Sequence, residues 1–459
     1  MRIHVTKPLF AWDVLEDSPS LKTIRDFLEA IPDHRLLAGL QAARAKGRND
    51  YPVRVLWGTL LVGLALRHPT VEACLAELRR NEGLRRLIGI ETEEQVPNSW
   101  NMSRFLQLLG QQPHRDELVR IFNSLIQQLG AAVPTLGQHT AGDSTTLNAR
   151  HDKSVREQVK GEGQLVVRDE DGLPVASGGR KEYRDDNGHV SKILQWFGFK
   201  GHLLVDVEHE VILSWQITST KTSDNEMIGP LIQQAKANLP EGRIQTLAYD
   251  KAGDDGEIHE LLRDEDIKPV IQIRNCWQNQ TEKLVPGQEQ RGNIVHDEAG
   301  TVFCVDTTGE TPVKHKMAYV GHEADRGTLK YRCPARHENW NCPMSAICNA
   351  GKSYGLTVRV KQDTDLRRFP PIPRATKKFE ELYKGRTAVE RANARLKVFW
   401  GADDGNISGG SRFHGLFSTV MIVHATFAKL LAAAPRHGGV LNQTRLSTIS
   451  QALNGPPAG

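Results

Sequence analysis

Three carboxylates in this sequence stand where metal-assisted phosphoryl transfer would need them. Gln138 to Asn148 reads as a strand entering a polar turn, with Asp143 ahead of Ser144-Thr145-Thr146, and Asp250 follows the apolar run Ile244 to Tyr249. Each Asp therefore falls at the carboxyl end of an expected strand, the edge of a mixed or parallel sheet where loops converge on one crevice. Phosphodiester cleavage requires the attacking and leaving oxygens to be neutralised together, which two hard cations a few ångströms apart accomplish. Mg²⁺ takes oxygen ligands and completes its octahedron with water and phosphate, so three acids from separate elements make a suitable site. Asp254 and Asp255 follow closely and are alternative ligands; its strand-end place favours Asp250.

The third acid, Glu390, lies in an expected helix from Thr376 to Val398. Tyr383, Arg386, Glu390 and Lys397 sit at offsets of 0, 3, 7 and 14. At roughly 100° per residue they share an arc of about 60°, a polar ridge with one acid among bases. Leu382, Ala388, Val389, Ala392, Leu396 and Phe399 fall on the opposite side and anchor the helix. Arg386 suits a bidentate grip on phosphate, Lys397 a point charge, and Tyr383 a hydrogen bond. From Pro371 to Trp400 eight Lys or Arg face three Glu, a local charge of +5 that attracts an acidic polymer such as DNA.

Four of the six cysteines, Cys304, Cys333, Cys342 and Cys348, cluster with spacings of 28, 8 and 5 residues. That count fits a tetrahedral structural Zn²⁺ site, although paired knuckles are missing. His337 is an alternative to Cys304, which also reads as a buried strand residue; scattered core or free thiols are the competing reading.

The elements that must position these groups fall into three segments. Residues 1–135 read as an all-helical unit for DNA binding or dimerisation, with Arg79, Arg80, Arg85, Arg86 and Arg104 on exposed sides, either docking on DNA or simply solvated. Residues 136–435 alternate strands and helices after a hairpin spanning Phe199 to Thr218, which implies a mixed α/β sheet. Within it, Lys153 to Asn187 reads as a long exposed loop, 274–370 as an insertion, and Leu416 to Ala433 as a second long helix. The tail 436–459, rich in Gly, Asn and Ser, is expected to be disordered.

At the acids and the ridge the sequence resembles the DDE transposases of bacterial insertion sequences that carry a Tyr-x2-Arg-x3-Glu-x6-Lys signature, here Tyr383, Arg386, Glu390 and Lys397. GDSTTLNA around Asp143 and AYDKAGDD around Asp250 are similar to that family's first and second acid strands, and the helical segment from Tyr51 to Arg80, with Val96 to Leu109, is similar to the domain preceding its catalytic unit. The gap of 390 − 250 = 140 residues leaves room for the insertion such enzymes carry before the Glu. The resemblance implies an RNase H-like α/β sheet flanked by helices, with an all-α N-terminal domain and an insertion before the Glu helix. It also implies Mg²⁺ or Mn²⁺ held by Asp143, Asp250 and Glu390, a homodimer acting on terminal inverted repeats and target DNA, and water then the freed 3′ hydroxyl as nucleophiles. Lys200, His202 and Asp224 resemble positions near the family's active site, with surface or capping roles equally open. Two rivals remain: an RNase H-like nuclease without strand transfer, and a domesticated transposase that only binds DNA.

Composition bounds the alternatives. At 459 residues the chain exceeds the roughly 250–300 at which one core stops growing. Its 39% hydrophobic and 25% charged content is that of a globular protein, not a fibrous or disordered one. The longest apolar run, Val55 to Leu66, falls short of the ~20 residues needed for a span, so no membrane partner is expected. Met1 to Phe10 lacks a signal-peptide core, which points to a bacterial cytoplasm, nucleoid-associated when DNA is bound, where disulfides are disfavoured. Net charge of +4 permits a nucleic-acid partner without requiring one.

Overall fold

The computed structural model describes residues 19–44, 50–150, 159–160, 164–165, 168, 172–185, 189–274, 276–277, 281–403, 406–435 and 439–454. Met1 to Phe10, and much of the loop expected over Lys153 to Asn187, lie outside them. The chain forms two units. One holds the chain up to Gly137, Ser144–Glu241 and Ala388–Gly459; the other holds Gln138–Asp143 and Gly242–Thr387.

In the first unit the amino-terminal segment is helical, as its periodicity requires: α1 (Pro19–Glu29), α2 (His34–Arg44), α3 (Val53–Ala65), α4 (Val71–Arg80), α5 (Glu82–Leu87), α6 (Ser99–Leu109) and α7 (His114–Ala132). Thr70 and Asn98 cap α4 and α6, their side chains accepting from the amides of Ala73 at 3.1 Å and Asn101 at 2.9 Å. These helices do not stand apart from the rest of the unit. The carboxyl-terminal helix (Gly410–Ala433), six residues longer than its apolar run from Leu416, packs on α3, α6 and α7. It is long and apolar enough to cross a membrane, but 78% of its most apolar window is buried as a core element. Part of the tail expected to be disordered is a helix, Leu446–Asn454, which buries Leu446, Ile449 and Ala452 and packs on α1; an apolar stripe of helical spacing outweighs the polar composition.

The central sheet is mixed. Its strands are β1 (His139–Asn148), β4 (Ser177–Arg184), β5 (Val190–Asp206), β6 (Ile212–Ser219), β7 (Thr246–Tyr249) and β8 (Lys268–Ile271), in the order β4-β5-β1-β7-β8 with β6 also on β5; β2 (Val159–Lys160) and β3 (Gln164–Leu165) form a separate pair. β5 is antiparallel to β4 as far as Gly198 and to β6 from Phe199 onward. Gly198 makes that change of partner possible, with φ of +153° and an added Cβ only 2.1 Å from the Leu147 carbonyl oxygen. β4 occupies part of the expected loop, where Gly and charged residues mask the alternation of a strand. α8 (Ile228–Asn238) covers β5 and β6.

In the second unit β1, β7 and β8 are parallel, and α9 (Gly256–Asp264) packs on β8. The insertion builds two small antiparallel sheets. One is β9 (Lys283–Leu284), β10 (Ile294–His296), β11 (Val302–Asp306) and β12 (Val313–Lys316); the other is β13 (Ala318–Glu323), β14 (Thr328–Arg332) and β15 (Thr357–Lys361). They share a core with Leu329, Val358, Val360 and Phe369, and the one-turn helices α10 (Pro334–Glu338) and α11 (Ser345–Cys348) lie between β14 and β15.

The long helix expected over Thr376 to Val398 is instead three pieces: α12 (Lys377–Lys384), α13 (Thr387–Ala394) and a π-helical turn, Arg395–Phe399. Gly385 ends the first piece, with its amide bonded to Leu382 O, so the four signature residues do not form one continuous ridge. The last two helices, already bounded above, are α14 (Gly410–Ala433) and α15 (Leu446–Asn454).

Candidate active site and its supports

Asp143 and Asp250 end up at the same level of neighbouring strands. The β1–β7 register pairs His139 with Thr246, Thr140 with Leu247 and Ala141 with Ala248, each 107 residues apart. The acids keep that offset, 250 − 143 = 107. His139 Nδ1 on Thr246 Oγ1 at 2.9 Å and Thr140 Oγ1 donating to Thr246 O at 2.8 Å lock the register. β7 is buried at all four positions, whereas both acids are half-buried. Past Tyr249 the chain turns tightly: Asp250 Oδ1 accepts from Ala252 N at 2.8 Å, and Gly253 closes on the Tyr249 ring, where a Cβ would stand 2.8 Å from Cδ1. Asp143 lies inside β1, which runs on to Asn148 instead of ending at the acid as expected, while Asp250 directly follows β7; carboxylates are hard oxygen donors of the kind Mg²⁺ takes.

The alternative second acids make contacts of their own. Asp255 caps α9, accepting from Glu257 N at 3.0 Å. Asp254 is fully buried within a cluster of bases: Arg367 reaches it at 2.7 Å, His259 at 3.4 Å and Arg374 at 3.5 Å, and Arg274 N–H donates at 2.8 Å. Burial opposes its ionisation, but hydrogen bonds from His259, Arg367 and Arg274 outweigh that and hold the carboxyl far below the usual range.

Lys200, His202 and Asp224 come together in the first unit. Lys200 Nζ donates to Asp224 at 3.0 Å and to Thr222 O at 2.9 Å. His202 is fully buried, with Nε2 on Thr218 Oγ1 at 2.8 Å and Nδ1 3.9 Å from Asp224; burial pushes it down to about 4, so it is neutral at pH 7. Burial opposes the Asp224 charge too, yet hydrogen bonds from Ser144 and Lys200 prevail and keep its carboxyl below the normal range. The residue following Asp143 is thus tied to a lysine–aspartate pair.

Glu390 is exposed in the first turn of α13, while Ala388, Val389 and Ala392 are buried and anchor that helix. The next polar positions are taken up by Glu210, a support the sequence did not reveal. Glu210 is 4% exposed at φ +54° in the β5–β6 turn, and accepts Arg391 Nε at 2.5 Å together with Arg395. Asn442 Nδ2 donates to the Glu210 carbonyl oxygen at 2.7 Å. Lys397 is half-buried rather than free: Nζ donates to Thr146 Oγ1 at 2.9 Å and pairs with Asp403 at 3.1 Å. Tyr383 stacks on Phe379, centroids 5.8 Å apart, on α12, which packs on β7 and β8. Arg386, half-buried, lies between α12 and α13.

Of the amino-terminal arginines, Arg85 is buried and donates to Arg79 O at 3.1 Å, a structural role, and Arg80 and Arg86 pair with Glu77 and Glu82. Arg104 lies 4.7 Å above Trp100, whose ring is 65% exposed.

Cys304, Cys333, Cys342 and Cys348 line one cavity in the insertion. His337 is exposed and absent from that lining, where His315 stands instead. Among the described residues, no three His, Cys, Asp or Glu side chains form a ready-made metal shell.

Two family models match the chain: Transposase DDE domain over residues 134–425 and Transposase domain (DUF772) over residues 13–108. No curated protein matches it. Members of the first family are DNA-binding phosphoryl-transfer enzymes that generally use divalent metal ions such as Mg²⁺. Because that match takes in 425 − 133 = 292 of the 459 residues, including β1, β7 and α13, the chain belongs to the DDE-type transposases of insertion sequences.

Proposed function

We propose that this transposase cleaves DNA at the terminal inverted repeats of its element and joins the freed ends to target DNA, with Asp143, Asp250 and Glu390 as the metal-holding acids. The observation that carries this reading is that Asp143 in β1 and Asp250 directly after β7 keep the 107-residue offset of the parallel β1–β7 register. Divalent cations bound there would neutralise the attacking and leaving oxygens. The acids themselves fix where a scissile phosphate must sit and orient the attacking hydroxyl, first of water and then of the DNA 3′ end.

Tyr383, Arg386 and Lys397 are the residues proposed to hold backbone phosphates. For Lys397 this means sharing its ammonium between Asp403 and DNA. The amino-terminal helices, with Arg79 and Arg104 exposed, are proposed to bind DNA or a second copy in a homodimer. Radiolabelled inverted-repeat oligonucleotides incubated with protein, Mg²⁺ and a target plasmid test the reading. Cleavage followed by joined product is expected; cleavage without joined product would favour a nuclease.

A further inference from the structure

Four of the six cysteines converge on a single cavity of about 20 Å³, which also meets His315. Space of that order accommodates one ion or one water. The thiols come from separate pieces of the insertion: Cys304 from β11, Cys333 from the turn entering α10, Cys342 from the loop before α11 and Cys348 from its end. Cys333 is buried and the other three pack against the insertion's core. Cys74 and Cys276 lie outside the cavity, and Cys276 is exposed.

Two side-chain amides are aimed at the sulfurs. Asn349 donates from Nδ2 to Cys333 Sγ at 3.6 Å, and its orientation is fixed because Oδ1 accepts the Leu356 amide at 2.6 Å. Asn293 Nδ2 approaches Cys348 Sγ at 4.0 Å. Amide donors on sulfur favour thiolate over thiol, and they commonly orient and tune cysteine ligands from outside the metal shell. A bound cation would balance thiolates gathered in this largely apolar cavity.

We propose that Cys304, Cys333, Cys342 and Cys348 bind one structural zinc ion that holds the two small sheets of the insertion together. Each thiol releases its proton to solvent as its sulfur binds Zn²⁺, leaving a closed tetrahedral centre with no open position for substrate. Among the described residues no ready-made metal shell is present, so the four cysteine side chains must turn toward the cavity to close one. Asn349 and Asn293 stay outside it as hydrogen-bond donors. The assignment is independent of the transposition chemistry, because the cysteines form a separate cluster within the insertion.

The test is zinc content of the full-length chain, expressed with zinc and purified without chelator, measured by inductively coupled plasma mass spectrometry. About one zinc per chain is expected. Cys333→Ser and Cys342→Ser should each lose most of it, while Cys276→Ser and His315→Ala keep it. Since the serine variants risk misfolding, the wild-type protein is also alkylated with iodoacetamide before and after chelation, with cysteines mapped by mass spectrometry. Protection of the four clustered thiols that chelation removes, with Cys276 reactive throughout, supports the site. Zinc well below one per chain, a disulfide among the four, or equal alkylation with and without chelator overturns it.

Discussion

Asp143, inside β1, and Asp250, directly after β7, keep the 107-residue offset that pairs His139 with Thr246 on these adjacent parallel strands, two positions beyond the last paired residues. A slip of one residue in β7 would move its acid out of level and reverse the faces of its side chains. Thr246→Val removes the His139 contact at Thr246 Oγ1 but leaves the backbone carbonyl that accepts from Thr140. The expected cost is about 1 kcal/mol of stability, with cleavage retained; chemical denaturation measures the first and an oligonucleotide assay the second.

Glu210 sets the placement of α13. Glu210→Ala would leave Arg391 and Arg395 without their counter-charge, and a loss of about 1 kcal/mol is expected, because both arginines keep access to solvent. Glu210→Gln, which keeps acceptors but not charge, should fall between. Cleavage by folded Glu210→Gln should drop in kcat with little change in DNA affinity. An unchanged kcat would mean that Glu210 stabilises the fold without positioning Glu390.

Asp254 gives a pH signature. Its folded carboxyl is held far below its ordinary value of 3.8, so its stabilising contribution is complete above that value and is lost as pH falls further toward the folded value. Asp254→Asn should therefore be less stable than wild type by about 3 kcal/mol at pH 7, with the gap narrowing only below about pH 4. Urea unfolding at several pH values measures it. A gap that narrows between pH 7 and 5 would contradict the assignment.

Much of this was readable in advance, and the failures have physical causes. The strands that carry Asp143 and precede Asp250 were legible as local patterns, although β1 runs on to Asn148 instead of ending at its acid, and the hydrophobic face Ala388, Val389, Ala392 was legible because helical periodicity is local too. The single polar ridge was not correct: Gly385 interrupts the helix and a π turn follows, which shifts every later residue off the ideal 100° step. Glu210 and Asp403 escaped notice because their partners lie 181 and 6 residues away on folded surfaces that no spacing rule describes. The clustered cysteines were found by counting, but His315 in place of His337 depended on the β11–β12 register, which sets His315 opposite Cys304.

Phosphate contacts have their own test. Arg386→Ala and Lys397→Ala should each bind inverted-repeat DNA more weakly, and the slope of log K against log salt should become shallower by about 1 for each charge removed. Lys397→Ala with an unchanged slope would mean that its ammonium serves only Thr146 and Asp403.

The most direct measurement is metal-dependent cleavage of an inverted-repeat duplex by Asp143→Asn, Asp250→Asn and Glu390→Gln, alongside filter binding of the same duplex. Loss of a metal ligand removes several kcal/mol of transition-state stabilisation, so cleavage should fall by more than about a thousandfold in each variant while DNA binding persists. Cleavage at the wild-type rate by any one of the three would remove that residue from the catalytic site.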